Sequence, residues 1–213
     1  MPLARFEKIE PERRKRLLQA AAQEFAAQGY EGASLSRIAE GGGVSKPALY
    51  YYFEDKADLF VTVVREVSER FSPERLVAPA ELDAATFWPT LEMLRDRNLA
   101  QCREEPWLVA LGRLLYRPPR EGAVAGAVAE VFDGARRFLK ALLVRGRELG
   151  VVRTDLPEDL LILMLTAADT AADRWMVEHW EALGPEEAER IARSVFSVIR
   201  DVLSPPRSAE SER

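Results

Sequence analysis

Residues 34–53 read SLSRIAEGGGVSKPALYYYF, and this stretch decides the fold. Ser34 and Ser45 are each placed to cap a short helix, because a serine hydroxyl accepts a hydrogen bond from a free N–H group of the first turn. The glycines at 41–43 interrupt the first helix, since each costs about 1 kcal/mol relative to alanine inside a helix. Pro47 is tolerated in the first turn of the second helix, where N–H groups lack intrahelical partners. Two short helices around a tight turn predict a helix-turn-helix.

The second helix of such a motif enters the major groove of DNA with its N-terminal residues, while the first helix crosses the phosphate backbone. Lys46 can donate to guanine, and Arg37 can donate to guanine or to a phosphate. Pro47 and Ala48 offer apolar surface to a thymine methyl group. Hydroxyls and the ammonium of Lys56 suit phosphate oxygens. The predicted DNA contacts are Ser34, Ser36, Arg37, Ser45, Lys46, Pro47, Ala48, Tyr50, Tyr51, Tyr52 and Lys56.

The three successive tyrosines of this stretch need a separate interpretation. Successive residues on a helix point in different directions, so the three side chains cannot all be buried. We therefore expect the tyrosine run to serve DNA binding in part.

Apolar side chains recur at helical spacing on both sides of the motif. Leu18, Ala21, Ala22 and Phe25 form one stripe and predict a first helix that Gly29 ends. No alternation typical of strands is present, so the expected fold is all-α. The predicted helices span residues 11–28, 35–40, 46–52, 56–72, 87–104, 106–116, 122–149, 157–181 and 185–203.

The charge distribution favours a small DNA-binding module on an acidic body. Residues 1–56 hold 9 Lys/Arg against 8 Asp/Glu, whereas residues 57–213 hold 21 against 27. A non-specific nucleic-acid binder would show a broad basic face, so local contacts must read the DNA. We expect a helix-turn-helix domain of three helices over 1–56, a larger helical effector-binding and dimerisation domain over 57–204, and a disordered tail over 205–213.

The rarest residues argue against an enzyme. The chain has one histidine, His179, and one cysteine, Cys102, so it cannot supply a four-cysteine zinc site or a HExxH helix. Nucleophile-elbow and phosphate-loop motifs are absent from the sequence. No catalytic residue, metal or cofactor is expected. The longest uncharged run, Leu160 to Ala168, has nine residues. Crossing a bilayer takes roughly 20, so we expect a cytoplasmic protein without membrane contact.

Residues 16–60 resemble the N-terminal domain of the TetR family of bacterial transcriptional regulators. The shared pattern runs AA-x-x-x-F-x-x-x-Gly-Tyr, then Ile-Ala-x-x-(Ala)-Gly-Val-Ser, then Leu-Tyr-x-(His/Tyr)-Phe-x-x-Lys-x-x-Leu. The resemblance implies that Ser34 caps its helix beside a phosphate and that Tyr50 and Lys56 grip the backbone. It also implies which side chains face the groove, namely Lys46, Pro47, Ala48 and Tyr51.

Two positions depart from the family pattern. Gly42 stands where the family usually has alanine, which predicts a looser turn. Tyr52 stands where histidine is common, and this exchanges one phosphate donor for another.

A dimer is expected, because one module reads too few base pairs and repressors bind pseudo-palindromic sites as two-fold dimers. The helices at 157–181 and 185–203 have wide apolar faces, and in the resembling family the last two helices pair into a four-helix bundle. A single buried core would give much the same pattern, so both interpretations stay open. The predicted dimer contacts are Leu161, Ala168, Ala172, Trp175, Phe196 and Ile199.

The helices over residues 87–149 carry many large apolar side chains, which are typical of a ligand pocket with a few polar groups. The predicted effector contacts are Leu91, Leu94, Asn98, Trp107, Leu111, Arg113, Leu114, Phe132 and Asp169. The polar members can equally be structural groups. We expect a hydrophobic or amphipathic effector, such as a fatty acyl thioester or an aromatic compound. A basic cluster of Arg136, Arg137 and Lys140 can hold an anionic head group or form a solvated face.

The sequence therefore predicts a homodimeric repressor that a small effector releases from its pseudo-palindromic operator, with the helix at 56–72 transmitting the change. Two alternatives remain. One is a helical enzyme or small-molecule carrier with an incidental helix-turn-helix, and the other is a DNA-binding regulator that needs no ligand.

Overall fold

The structure, a computed structural model, describes residues 5–116 and 122–206. The side chain of Leu114, one of the predicted effector contacts, lies outside the described part. Most of the tail predicted to be disordered, residues 207–213, lies outside it as well.

The described residues form nine α-helices and no strand, which confirms the all-α prediction. Short 3-10 turns lie at Phe6–Lys8, Pro73–Arg75 and Pro79–Glu81. Within the described ranges, no helix is long and apolar enough to span a membrane. The helices are α1 (Pro11–Gly32), α2 (Leu35–Gly41), α3 (Lys46–Tyr52), α4 (Lys56–Phe71), α5 (Phe87–Glu104), α6 (Trp107–Leu115), α7 (Gly122–Glu148), α8 (Glu158–His179) and α9 (Pro185–Leu203).

The helix starts follow the predicted caps. The Ser34 hydroxyl accepts from the backbone N–H of Arg37 at 3.4 Å, and the Ser45 hydroxyl accepts from Ala48 at 3.2 Å. Regular helical geometry in α1 breaks at Gly29, whose φ is 69°. The assigned helix nevertheless runs on to residue 32, because the N–H of Ala33 bonds back to the Gly29 carbonyl at 3.2 Å.

Contacts divide the chain into two compact units. The first contains the described residues up to Phe71 together with Gln101–Phe132. Its core joins α1 to α4 with α6, and α1 packs most extensively against α6. The rings of Phe25 and Phe60 meet edge to face at 5.0 Å in this core. The helix-turn-helix is therefore built into a larger helical unit.

The second unit contains Ser72–Ala100 and the described residues from Asp133 onward. Its core buries Phe87, Leu143 and Leu161, each almost completely. The two units divide after Phe71, Ala100 and Phe132, not between residues 56 and 57. They are units of contact within the fold, so the expected domain boundary stays a prediction.

Candidate nucleic-acid interface

The turn between α2 and α3 is closed by backbone hydrogen bonds. Gly42 donates to the Ile38 carbonyl at 2.8 Å, and Val44 donates to the Ala39 carbonyl at 2.9 Å. Gly43 has a φ of 66°, a left-handed conformation that favours glycine. This geometry sets α3 at an angle to α2.

At Gly42 a residue of α1 packs tightly against the turn. A Cβ atom at this position would lie 2.5 Å from Leu17 Cδ1 and 3.1 Å from Leu17 Cα. Because glycine has no side chain, Leu17 of α1 can pack directly against the turn. The expectation that Gly42 loosens the turn stays a prediction, although Leu17 fills the space that an alanine side chain would need.

One face of the helix pair is buried and the other is exposed. Ile38 and Leu49 are buried against α1 and α4. Tyr50 and Tyr51 are exposed over 50% and 52% of their surfaces. Tyr52 packs partly into the core, with its ring 6.1 Å from that of Phe6. The tyrosine run is thus divided between core and surface, as predicted.

The start of α3 leaves its predicted base readers available. Ser36, Lys46 and Pro47 are exposed, whereas Ala48 is partly buried against the core. Among the described residues, Lys46 has no hydrogen-bond or ion-pair partner. An ammonium without a partner beside an apolar proline suits a base edge in the major groove.

Arg37 is bound to α1. Its Nε and Nη2 atoms lie 2.8 and 2.6 Å from Glu24 Oε1, which also accepts from the backbone N–H of Ser34 at 2.8 Å. The hydrogen bond from Arg37 lowers the pKa of Glu24 below its usual value. This guanidinium is therefore partly neutralised in the DNA-free protein.

Lys56 is also engaged. Its Nζ donates to the Glu31 carbonyl at 2.9 Å and lies 4.9 Å from the centre of the Tyr30 ring. An ammonium has three donors, so the remaining two can still reach a phosphate.

Phe6 is a core residue that the sequence reasoning missed. It is fully buried, with its ring 4.7 Å from that of Phe53 just after α3. An aromatic residue five positions ahead of a helix-starting proline was the available signal. The segment before α1 is thereby fixed beside α3.

The predicted effector contacts divide between the two cores. Leu94 belongs to the core of the second unit, and Leu91 packs against it. Trp107 and Leu111 are buried in the core of the first unit, against which Phe132 packs. The polar members Asn98, Arg113 and Asp169 are half-buried, and burial raises the pKa of Asp169. The apolar members that the structure describes thus belong to two different core clusters.

The predicted dimer contacts also separate. Leu161 is fully buried within the second unit, so it is a core residue and cannot meet a partner. Phe196 and Ile199 pack partly against the same core. Trp175 is 42% exposed, Ala168 is exposed and Ala172 is half-buried on α8.

Two apolar residues that the sequence reasoning missed are the most exposed large apolar side chains in the described part of the chain. Leu163 on α8 is 67% exposed and Val198 on α9 is 63% exposed. Leu163 lies three residues after Leu160, so a second apolar stripe along α8 was the available signal.

Known proteins match both the N-terminal stretch and most of the chain. The model of the family described as "Bacterial regulatory proteins, tetR family" matches residues 17–63. The HTH-type transcriptional repressor AcnR of Corynebacterium diphtheriae is 32% identical over 191 residues, which cover 88% of this chain and 92% of AcnR.

Solved structures share the fold. The fatty acid degradation regulator FadR from Bacillus halodurans superposes with a TM-score of 0.73 at 23% identity, over 89% of this chain and 98% of that one. FadR from Bacillus subtilis, solved in complex with stearoyl-CoA, gives a TM-score of 0.73 at 18% identity with the same coverage. The resemblance seen in residues 16–60 is therefore confirmed over nearly the whole chain, which belongs to the TetR family of bacterial transcriptional regulators.

Proposed function

We propose that this protein is a homodimeric repressor that binds a pseudo-palindromic operator through α3 and leaves it when a hydrophobic or amphipathic effector binds. The observation that carries the proposal is the exposed start of α3, where Lys46 has no described partner while Leu49 is buried beneath it. The name of AcnR, a transcriptional repressor, supports repression.

Base reading in this proposal rests on few side chains. Lys46 donates to guanine, Pro47 contacts a thymine methyl group, and Tyr51 faces the groove. The Ser34 and Ser45 hydroxyls already accept N–H groups as caps, so their hydrogens remain free to donate to phosphates. With Tyr50, Tyr52 and Lys56 they would set the register of the module on DNA.

Dimerisation is assigned to the apolar surface of α8 and α9. Several apolar side chains on these two helices are exposed and do not belong to the buried core of the second unit. Large exposed apolar patches mark interaction sites. A second copy would bury this surface and space two α3 helices for successive major grooves. The exposed large apolar residues here are Leu160, Leu163, Met164, Trp175, Val198 and Val202.

The effector is assigned to the helical body. FadR of Bacillus subtilis, which shares this fold, was solved with stearoyl-CoA. The apolar content of α5 to α7 suits an acyl chain, and a fatty acyl thioester is therefore the first effector to test. The same test can also favour the alternative, a regulator that needs no ligand.

The experiment selects operators from a pool of random DNA duplexes with the purified protein and measures affinity for the selected duplex with and without stearoyl-CoA. We expect a two-fold symmetric site, two protein chains per site, and an affinity that falls about 5- to 150-fold with effector. Absence of any selected sequence would overturn the proposal. Full affinity with stearoyl-CoA and with aromatic compounds would favour the ligand-independent regulator.

A further inference from the structure

A cleft lies beside α3 at the start of α1. Its volume is about 460 Å³. Three of its seven lining residues are cationic, and one carboxylate accompanies them. The lining residues are Arg5, Lys8, Ile9, Glu10, Arg13, Tyr51 and Tyr52. The cleft therefore shares Tyr51 with the exposed face of the reading helix.

The residues before α1 are held in place on this side of α3. The buried ring of Phe6 anchors them, at 4.7 Å from Phe53. The Arg5 guanidinium carbon lies 4.4 Å from the centre of the Tyr51 ring, a cation–π distance. Arg5 and Lys8 are thus positioned next to the DNA-binding surface before any DNA arrives.

The other cations of the helix-turn-helix region are mostly engaged. Arg14 pairs with Glu66 at 2.8 Å, Lys15 with Glu105 at 3.5 Å and Arg37 with Glu24. Arg16 and Lys56 donate to backbone carbonyls of Gly42 and Glu31.

The cations of the cleft differ from these. Arg5, Lys8 and Arg13 form no ion pair with any residue in the part of the chain that the structure describes. Three cations against one carboxylate in the lining give this cleft a local positive surface in a protein of net charge −5. The start of α1 adds to it, because Glu10 at the N-cap makes no side-chain hydrogen bond and the first N–H groups remain available to an anion.

We infer that this cleft binds the phosphate backbone of the operator next to the segment that α3 reads. The inference rests on the proposed function, since the occupant is the same DNA duplex. Tyr51 makes the two surfaces continuous, and Arg5, Lys8 and Arg13, which have no ion-pair partner among the described residues, carry the charge that phosphate requires. The cleft adds affinity without reading sequence, because phosphate contacts carry none.

The test is a salt titration of DNA binding with the full-length protein. Arg13→Gln should flatten the slope of log affinity against log salt by about 0.9 for each bound module. The loss should be equal on the selected duplex and on a random duplex. Arg13→Lys should restore the slope, and Arg103→Gln serves as a matched control, because it removes an exposed arginine of α5 that does not line the cleft.

The outcomes separate the two proposals. An unchanged slope for Arg13→Gln and for the double variant Arg5→Gln, Lys8→Gln would overturn phosphate binding by the cleft, while the proposed function would stand. A loss confined to the selected duplex would overturn it as well, because the cations would then read bases. If the wild-type protein prefers no sequence, the proposed function fails first. Circular dichroism checks that each variant keeps its helices.

Discussion

Glu105 accepts two hydrogen bonds from Arg70 Nη1, at 3.0 Å on Oε1 and 2.9 Å on Oε2. The same carboxylate accepts from the Trp107 indole at 2.8 Å and lies 3.5 Å from Lys15 Nζ. Glu105 stands between α5 and α6, so one carboxylate links the starts of α1 and α6 to the end of α4. These helices belong to the unit that contains α3.

The Arg70–Glu105 pair should contribute measurably to stability. Both side chains are about three-quarters buried, which limits screening by solvent and salt. We expect a coupling free energy of about 1 kcal/mol in a double-mutant cycle of Arg70→Gln and Glu105→Gln. Urea unfolding of the four proteins measures it. Additive losses from the two substitutions would contradict a direct interaction.

The pH dependence of stability should report on Glu105 too. Burial raises the pKa of Glu105. The charge of Arg70, the Trp107 hydrogen bond and Lys15 together lower it by more than burial raises it, so the pKa lies below its usual value. A lowered pKa gives stability that is present above the unfolded-state pKa of about 4.3 and is lost as pH falls through the folded value.

Glu105→Gln removes this contribution. The free energy of unfolding of the wild type should therefore fall more steeply than that of the variant below about pH 4.3. Equal pH slopes for the two proteins would show that Glu105 is protonated alike in the folded and unfolded states.

Local signals explain why so much of the fold was predictable. The bounds of α3 follow from a capping serine, a proline in the first turn and a preceding glycine, all within a few residues. The end of α8 was predicted two residues too late, at 181 instead of His179, because the next strong stop signal is Gly184 followed by Pro185.

Pairings between distant residues were not predictable in the same way. Arg37 meets Glu24 across 13 residues and Arg70 meets Glu105 across 35, and no spacing rule links such positions. Leu161 and Leu163 show a further limit. They lie on one apolar helix, yet one is fully buried and the other is 67% exposed, which only the packing decides.

Gly42→Ala should destabilise the protein. The added Cβ would fall 2.5 Å from Leu17 Cδ1, and the Leu17 Cα atom at 3.1 Å leaves little room to relax. Overpacking of this kind costs about 1–3 kcal/mol. The measurement is thermal and urea unfolding.

The matched control is Gly126→Ala inside α7. Apart from its chain neighbours and the backbone of its own helix, no described atom lies within 4 Å of the added Cβ, so alanine should stabilise the helix by about 0.5–1 kcal/mol. A gain in stability for both variants would mean that the turn does not need glycine at position 42.

Lys46→Ala should weaken binding to the selected operator without affecting random DNA to the same degree. Lys46 is exposed at the start of α3 and lacks a described partner, so its donor is available to a base. We expect the discrimination to fall by about 1–3 kcal/mol, or roughly 5- to 150-fold. Fluorescence anisotropy on both duplexes measures the ratio, and an equal loss on both would make Lys46 a phosphate contact.

Leu163→Glu should dissociate the proposed dimer. This side chain is 67% exposed on α8, and a charge buried without a partner in an apolar interface is costly. Met93→Glu on α5 is the matched control, because it puts the same charge at an apolar position that is 48% exposed outside α8 and α9. Analytical ultracentrifugation should give a monomer for Leu163→Glu and a dimer for Met93→Glu. The monomer should also lose operator affinity, since a single α3 spans only one half-site. A dimeric Leu163→Glu variant with intact operator binding would place the pairing surface elsewhere on the chain.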